Sequence, residues 1–188
     1  MNKFVKKLLV GILAGTMVLG SVSTAFAATG SATVAPQPEK QTSVKAEKTS
    51  TGITPIVNTK KDGTATITTV KKTTKTTVTL TSKVTVDGVD YKVTSIGANT
   101  FKNCTKIKTA VLPSTVTSIG SKAFSGAKTL KTITFNTTKK VTVSKTAFQG
   151  VDTKKMTIKV SKKMSSKNYT ALKKALKAAG FKGTIKKA

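Results

Sequence analysis

The sequence predicts a mainly β solenoid of about three repeats, with a β-hairpin cap at its amino end and a capping α-helix at its carboxyl end. Three observations lead to this fold class. A repeat unit is duplicated in the second half of the chain, threonine and valine nearly alternate before it, and a helical pattern follows it. A fixed period in the twenties is typical of solenoids, in which each repeat forms one coil that packs on its neighbours.

The duplicated unit is the most specific pattern in the sequence. Ser95–Phe101 recurs as Ser118–Phe124, and this spacing sets the period. In a looser third copy the spacing is longer by one position at Val143, the counterpart of Ile119, and by two at Ile158, the counterpart of Ile133. We assign residues 94–161 to the repeats. The recurring apolar positions predict the structural core: Ile96, Phe101, Cys104, Ile107, Leu112, Ile119, Phe124, Leu130, Ile133, Phe135, Val143, Phe148, Ile158 and Val160.

The segment before the repeats predicts β-strands. Between residues 60 and 93 threonine and valine nearly alternate, and such β-branched residues favour strands. The pair Asp87-Gly88 separates two alternating runs, which is a strong hairpin signal because glycine tolerates the positive φ of a tight turn. Residues 60–93 are therefore predicted to form an amino-terminal β cap.

The last segment, residues 162–188, predicts a capping helix and a tail. Ser165 or Ser166 can cap its first turn, and Gly180 can end it in the left-handed conformation. A helix here would cover the apolar end of the solenoid. Its apolar face consists of Tyr169, Leu172, Leu176 and Ala179.

The first residues have the layout of a secretory signal peptide. Three lysines precede an apolar run, Leu8–Leu19, which is followed by small residues. Cleavage between Ala27 and Ala28 is expected, so residues 1–27 would be removed and the chain would be secreted or extracellular. The run is short for a membrane span, which needs about 20 apolar residues, and no transmembrane anchor is expected after cleavage. Residues 28–59, rich in Thr, Ser, Lys and Pro, predict a disordered linker.

The charge of the chain predicts attraction to polyanions. The net charge is +28, and loss of the three lysines of the signal peptide lowers it to +25. All of the positive charge is lysine, which lacks the bidentate geometry of arginine, so the attraction should be diffuse and sensitive to salt. An anionic cell-wall or glycan polymer is one expected partner, and the charge could hold the protein at the cell wall. Nucleic acid is disfavoured because the exposed strand positions carry no stacking aromatics.

The residue inventory argues against an enzyme. The chain has no histidine and no arginine, and its six acids are dispersed along the sequence. Asp87 and Asp90 could converge only within their own hairpin. Cys104, the single cysteine, is interpreted as a small core residue, and it leaves no partner for an intramolecular disulfide. No catalytic residue, metal site or cofactor is predicted.

The repeat also resembles a known family. The run Ile107–Phe124 follows the pattern of BspA-type leucine-rich repeats of bacterial surface proteins, and the resemblance covers about residues 80–160. It implies a right-handed, leucine-rich-repeat-like stack of coils. It also implies an extracellular or cell-surface protein used for adhesion and binding.

In solenoids of this type the strand residues between core positions line the concave surface. We therefore expect a binding face, although the same positions could be solvated strand residues with no ligand. The expected function is non-catalytic binding or adhesion to a host extracellular protein or a cell-envelope polymer. The alternative is a structural, wall-associated protein that charge holds on anionic polymers without a specific site. The oligomeric state stays open. The candidate binding residues are Thr109, Val111, Thr132, Thr134, Thr157 and Lys159.

Overall fold

The computed structural model of the protein describes residues 36–71, 74–102 and 104–188. The predicted signal peptide with its cleavage site at Ala27 and Ala28, and the first part of the predicted linker, lie outside the described residues. Within them, no helix is both long enough and apolar enough to cross a membrane.

The described residues form twelve strands and one α-helix. In chain order these are β1 (Gln41–Lys45), β2 (Ile56–Thr59), β3 (Thr64–Thr69), β4 (Thr77–Thr79), β5 (Lys83–Val86), β6 (Val89–Ile96), β7 (Thr109–Leu112), β8 (Ser118–Ile119), β9 (Thr132–Phe135), β10 (Thr142–Val143), β11 (Thr157–Val160), α1 (Ser166–Ala178) and β12 (Thr184–Lys187).

These strands form two sheets. The seven-stranded sheet has the order β1-β2-β3-β6-β8-β10, with β5 paired to β6 in an antiparallel hairpin. The five-stranded sheet has the order β4-β7-β9-β11-β12, and every pairing in it is parallel. From β3 to β11 the chain passes back and forth between the two sheets. Each pass adds a strand that pairs in parallel with the preceding strand of the same sheet. The exception is the hairpin strand β5, which pairs antiparallel with β6.

The strand register reproduces the correspondence found in the sequence. Ile119 of β8 lies opposite Ile96 of β6 on one side and opposite Val143 of β10 on the other. In the other sheet Ile133 of β9 lies opposite Ile158 of β11. The looser third copy is therefore in register with the first two, because its additional residues lie in the connections between strands.

A column of phenylalanine rings runs through the core. The rings of Phe101 and Phe124 stack with centroids 5.3 Å apart, and those of Phe124 and Phe148 with centroids 5.1 Å apart. Phe181, which the sequence reasoning did not place in the core, packs on Phe148 at 5.3 Å with a tilted ring. Of the predicted core residues, all are buried except Val143, which is half-buried.

The predicted disordered linker is wrong over its described part. Strands β1 and β2 lie between residues 41 and 59, and β2 pairs with both β1 and β3. Ala46, Ile53 and Val57 of this segment belong to the core. The composition is misleading because only one side of such a strand needs apolar residues. In β2 the two buried positions are Val57 and Thr59, so a single large apolar residue serves the core there.

The predicted amino-terminal cap is part of the two sheets and does not form a separate closing element. β3 pairs in parallel with β6, and β4 pairs in parallel with β7. β6 runs through Ile96, past the predicted boundary between cap and repeats at residues 93 and 94. The hairpin predicted at Asp87-Gly88 forms, and both of these residues have positive φ.

The carboxyl-terminal segment contains the predicted helix and one further strand. The Ser165 side chain accepts a hydrogen bond from the Asn168 backbone N–H, Gly180 has a φ of 83°, and α1 buries Leu172 and Leu176. The tail was not expected to form a strand, yet β12 pairs in parallel with β11 and so extends the five-stranded sheet.

The outer edge of β12 is partly covered by α1. The Tyr169 hydroxyl donates a hydrogen bond to the Ile185 carbonyl at 3.1 Å. The Lys187 ammonium donates to the Met164 carbonyl at 2.8 Å and lies 5.3 Å from the centre of the Tyr169 ring. An edge strand with a charged residue and a covering side chain is a poor template for pairing with another chain.

Candidate binding surface

The five-stranded sheet has one buried side and one outward side. Its strands alternate between the two because successive side chains of a strand point to opposite sides. Val78, Ala110, Ile133 and Ile158 are buried, and their neighbours in each strand are half-exposed or exposed. The parallel register then aligns these outward residues across the strands.

Two rows of side chains result, and together we call them the outward face. The first row, the threonine row, consists of Thr77, Thr109, Thr132, Thr157 and Thr184. The second row, the mixed row, consists of Thr79, Val111, Thr134, Lys159 and Lys186.

The six residues predicted as a binding face all lie on the outward face. Lys159 is exposed, and the other five are half-exposed. Sequence reasoning missed the residues that β4 and β12 add at the two ends of the rows. A signal for them exists, because Thr77–Thr79 and Thr184–Lys186 share the Thr-apolar-polar pattern of Thr132–Thr134.

The threonine hydroxyls of the outward face make no hydrogen bond to another group in the described part of the chain. Elsewhere the protein uses such hydroxyls internally. Thr100, for example, donates to the Ile67 carbonyl at 2.9 Å, and Thr129 donates to the Thr105 carbonyl at 2.8 Å. A hydroxyl is both a donor and an acceptor. Those of the outward face therefore remain available to water or to a ligand.

The charge on the outward face is positive and lies at one end. Lys159 of β11 and Lys186 of β12 lie directly opposite each other in the mixed row, and both are exposed. Among the described residues the ion pair at 2.7 Å between Lys83 and Asp90 is the only one, and it lies in the β5–β6 hairpin. The outward face therefore carries no carboxylate that balances its lysines.

The groups with shifted pKa values lie away from this face. The pKa of Asp90 is lowered by hydrogen bonds from Lys83 and then Thr85, and that of Asp62 is lowered by the hydroxyl and then the backbone N–H of Thr64. Burial raises the pKa of the Cys104 thiol to about 11. Such a thiol is a poor nucleophile near neutral pH, because only the thiolate reacts.

A cleft lies beside β4. This cleft, of about 490 Å³, is lined by residues 47–50 and 79–85. Several of its polar groups already have partners. The Thr85 hydroxyl and the Lys83 ammonium both donate to Asp90, and the Thr81 hydroxyl donates to the Lys83 carbonyl. In the described part of the chain no three His, Cys, Asp or Glu side chains come together to hold a metal ion.

Comparison with solved structures finds bacterial leucine-rich-repeat proteins. A leucine-rich repeat protein from Bacteroides capillosus ATCC 29799 is 23% identical, with a TM-score of 0.45, over 63% of this chain and 84% of its own. A leucine rich cell surface protein from Faecalibacterium prausnitzii A2-165 is 23% identical, with a TM-score of 0.40, over 64% of this chain and 38% of its own. No curated protein matches the chain.

A family model assigns the chain more directly. The model described as BspA type leucine rich repeat region (6 copies) matches residues 90–187, which is more than half of the chain. That range includes the strands β7, β9, β11 and β12, which supply most of the outward face. The chain therefore belongs to the BspA-type leucine-rich-repeat family.

Proposed function

We propose that this protein is a secreted or cell-surface binding module that recognises a macromolecular partner through the outward face and catalyses no reaction. We infer that the alternation of the chain between two sheets is a short leucine-rich-repeat solenoid, and that the outward face is its concave surface. Proteins of the BspA-type family are generally surface proteins that take part in protein interaction.

The observation that carries the proposal is the pair of aligned rows on the outward face. Ten side chains from five strands are in register, and the hydroxyls among them are not used by the fold in the described residues. Side chains fixed on rigid strands lose little conformational freedom when a partner binds. A regular array of this kind suits an extended surface or chain better than a small molecule, for which an enclosed cavity is usual.

The first experiment measures binding of the secreted chain to purified cell walls and to a panel of extracellular-matrix proteins, at salt concentrations from about 0.05 M to 0.5 M. The test variant is Thr109→Asp/Thr132→Asp, which places two carboxylates side by side in the threonine row. If the outward face recognises a partner, binding to that partner persists at high salt in the unaltered protein and is lost in the variant.

The control has the same change in charge on the other sheet. Ser95 and Ser118 lie opposite each other on β6 and β8, are half-exposed, and carry side chains without a hydrogen-bond partner in the described residues. Ser95→Asp/Ser118→Asp should therefore leave binding intact. Equal losses in the two variants would contradict a role for the outward face, since they would reflect net charge alone.

The alternative function is a structural protein that charge holds at the cell wall. The excess of lysine over acid favours it. Attraction between exposed charges and an anionic polymer is screened by salt. Under this alternative every interaction disappears by about 0.5 M salt. Substitutions on the outward face then weaken binding no more than the same change in charge on the other sheet.

A further inference from the structure

We propose that the outward face holds a linear polyanion at its β11–β12 end, with the ammonium groups of Lys159 and Lys186 as anchor. The partner in this proposal is an extended polymer with repeating phosphate or carboxylate groups. The proposal rests on the binding function proposed above and names the class of partner. It differs from retention by diffuse charge because it assigns the binding to two particular lysines.

The first step of the argument is the position of the two lysines. Lys159 and Lys186 are exposed and occupy opposite positions on adjacent parallel strands. Adjacent strands are about 4.8 Å apart, and like charges directly opposite each other destabilise a sheet. The fold therefore places the two lysines side by side on the sheet, where an anion bound by both would relieve the repulsion between their charges.

The second step is the lack of internal counter-charge. From residue 91 to residue 188 the sequence has 22 lysines and a single acid, Asp152. The Asp152 carboxylate accepts a hydrogen bond from the Lys154 backbone N–H at 3.0 Å. Residues 36–90 have nine lysines and five acids. Positive charge is thus concentrated in the part of the chain that forms β7, β9, β11 and β12.

The third step is the set of hydroxyls beside the lysines. Thr134 lies opposite Lys159 in the mixed row, and Thr157 and Thr184 precede the two lysines by two positions on the same side of their strands. None of the three hydroxyls has a hydrogen-bond partner in the described residues. Ammonium and hydroxyl donors together suit an oxyanion, since hydrogen bonds to a charged acceptor are stronger than those between neutral groups.

The chemistry of the face distinguishes a simple polyanion from a nucleic acid. Neither row contains an aromatic residue on which a base could stack. Lysine acts as a point charge and does not impose the planar geometry of arginine. A polymer recognised only through its anionic groups fits this surface better than one recognised through its bases.

The test uses the full secreted chain and two labelled probes, long-chain inorganic polyphosphate and polygalacturonate, which separate phosphate from carboxylate. The variant is Lys159→Gln/Lys186→Gln, and the matched control is Lys173→Gln/Lys174→Gln, two exposed lysines of α1. At about 0.15 M salt the variant should bind the preferred probe about five- to tenfold more weakly than the control. The slope of log Kd against the logarithm of the salt concentration should decrease by about 1.5.

Four outcomes would overturn this proposal. Equal weakening in both variants would show that the charge acts diffusely, and no weakening in either would exclude Lys159 and Lys186 as the anchor. If a single-stranded oligonucleotide, added as a third probe, were the only probe whose binding is weakened by Lys159→Gln/Lys186→Gln, the partner would be a nucleic acid. The fourth outcome is binding to a matrix protein that is lost in Thr109→Asp/Thr132→Asp and unchanged in Lys159→Gln/Lys186→Gln. The outward face would then remain a binding site, but a polyanion would be rejected as its partner.

Discussion

Phe101, Phe124 and Phe148 occupy the same position in successive repeats, and their rings stack in one column. Each ring contributes the burial of a large apolar side chain, and the stacked pairs add about 0.5–1.5 kcal/mol beyond burial. The middle ring, that of Phe124, has a neighbour on both sides and is fully buried. At the scale of residues, this position should be among the most sensitive in the protein.

Replacing Phe124 by alanine should lower the free energy of unfolding by about 3–5 kcal/mol, because the change removes a buried ring and leaves a cavity between two others. Urea denaturation followed by circular dichroism measures the difference. Phe124→Leu is the matched control, and it should cost about 1.5 kcal/mol or less because it keeps most of the apolar volume. Similar losses for the two variants would contradict the cavity as the main cost, because both variants remove the ring and only Phe124→Leu keeps most of the apolar volume.

Gly126 and Gly150 occupy equivalent turns. Alanine substitutions at the two positions separate the cost of backbone strain from the cost of a steric clash. Both have positive φ, 84° and 78°, so alanine at either position costs about 1–2 kcal/mol in backbone strain. A Cβ at Gly126 would also clash with the Lys102 carbonyl, whereas at Gly150 the nearest atom is the Ser125 hydroxyl at 3.8 Å. Gly126→Ala should therefore destabilise the protein clearly more than Gly150→Ala in thermal unfolding. Equal losses would refute the close approach of the Gly126 turn to the Lys102 carbonyl.

At the scale of elements, the β5–β6 hairpin should make a pH-dependent contribution to stability, and this contribution can be assigned to Asp90. Hydrogen bonds from Lys83 and Thr85 lower the pKa of Asp90 below its usual 3.8. A lowered pKa in the folded state stabilises the protein above the unfolded pKa, and this contribution is lost as pH falls through the folded pKa. The effect belongs to an exposed group and should be modest.

The loss of stability on acidification from about pH 5 to pH 2 should therefore be smaller in Asp90→Asn than in the unaltered protein. Urea midpoints at the two pH values measure it. Lys83→Gln should reduce the same dependence in part, because the hydrogen bond from Lys83 is the largest cause of the lowered pKa. An identical acid response in all three proteins would show that Asp90 does not contribute.

The segment that contains β1 and β2 allows a second prediction at the scale of elements, which concerns the stability of the protein. Val57 of β2 is fully buried, whereas Ser50 in the preceding turn is exposed. Val57→Asp should lower the free energy of unfolding by about 3 kcal/mol or more, because it buries an unpaired carboxylate. Ser50→Asp makes the same charge change and should have little effect. A disordered linker would tolerate both substitutions equally, as measured by thermal unfolding.

Sequence periodicity predicted the repeats because their buried positions recur at a constant offset with large apolar residues, as Ile96 and Ile119 do. It missed β1, β2 and β12 because these strands pair at the ends of the sheets and carry one or two apolar residues each, as Val57 and Ile185 illustrate. The six predicted surface residues followed from alternation within the repeat strands and from the class of solenoid that the repeat resembles. Their use in binding depends on a partner, which no intrachain pattern encodes.

At the scale of the whole molecule, the excess of lysine should make stability depend on salt. A net charge of +28 repels itself in the compact state, and salt screens this repulsion. Raising sodium chloride from about 0.02 M to 0.5 M should increase Tm by several degrees. Differential scanning calorimetry measures the change. A decrease in Tm would mean that attractive pairs outweigh repulsion, contrary to the single ion pair in the described residues.

The buried thiol of Cys104 provides the protein with an internal reporter of its own opening. It is the only cysteine, it is fully buried, and its sulfur lies 3.5 Å from the Val70 carbonyl in the connection between β3 and β4. A thiol reagent can reach it only when the first repeat separates from that connection. The labelling rate therefore counts opening events at this junction. Compared with the rate of global unfolding, it shows whether the amino-terminal strands detach first or the whole stack unfolds together.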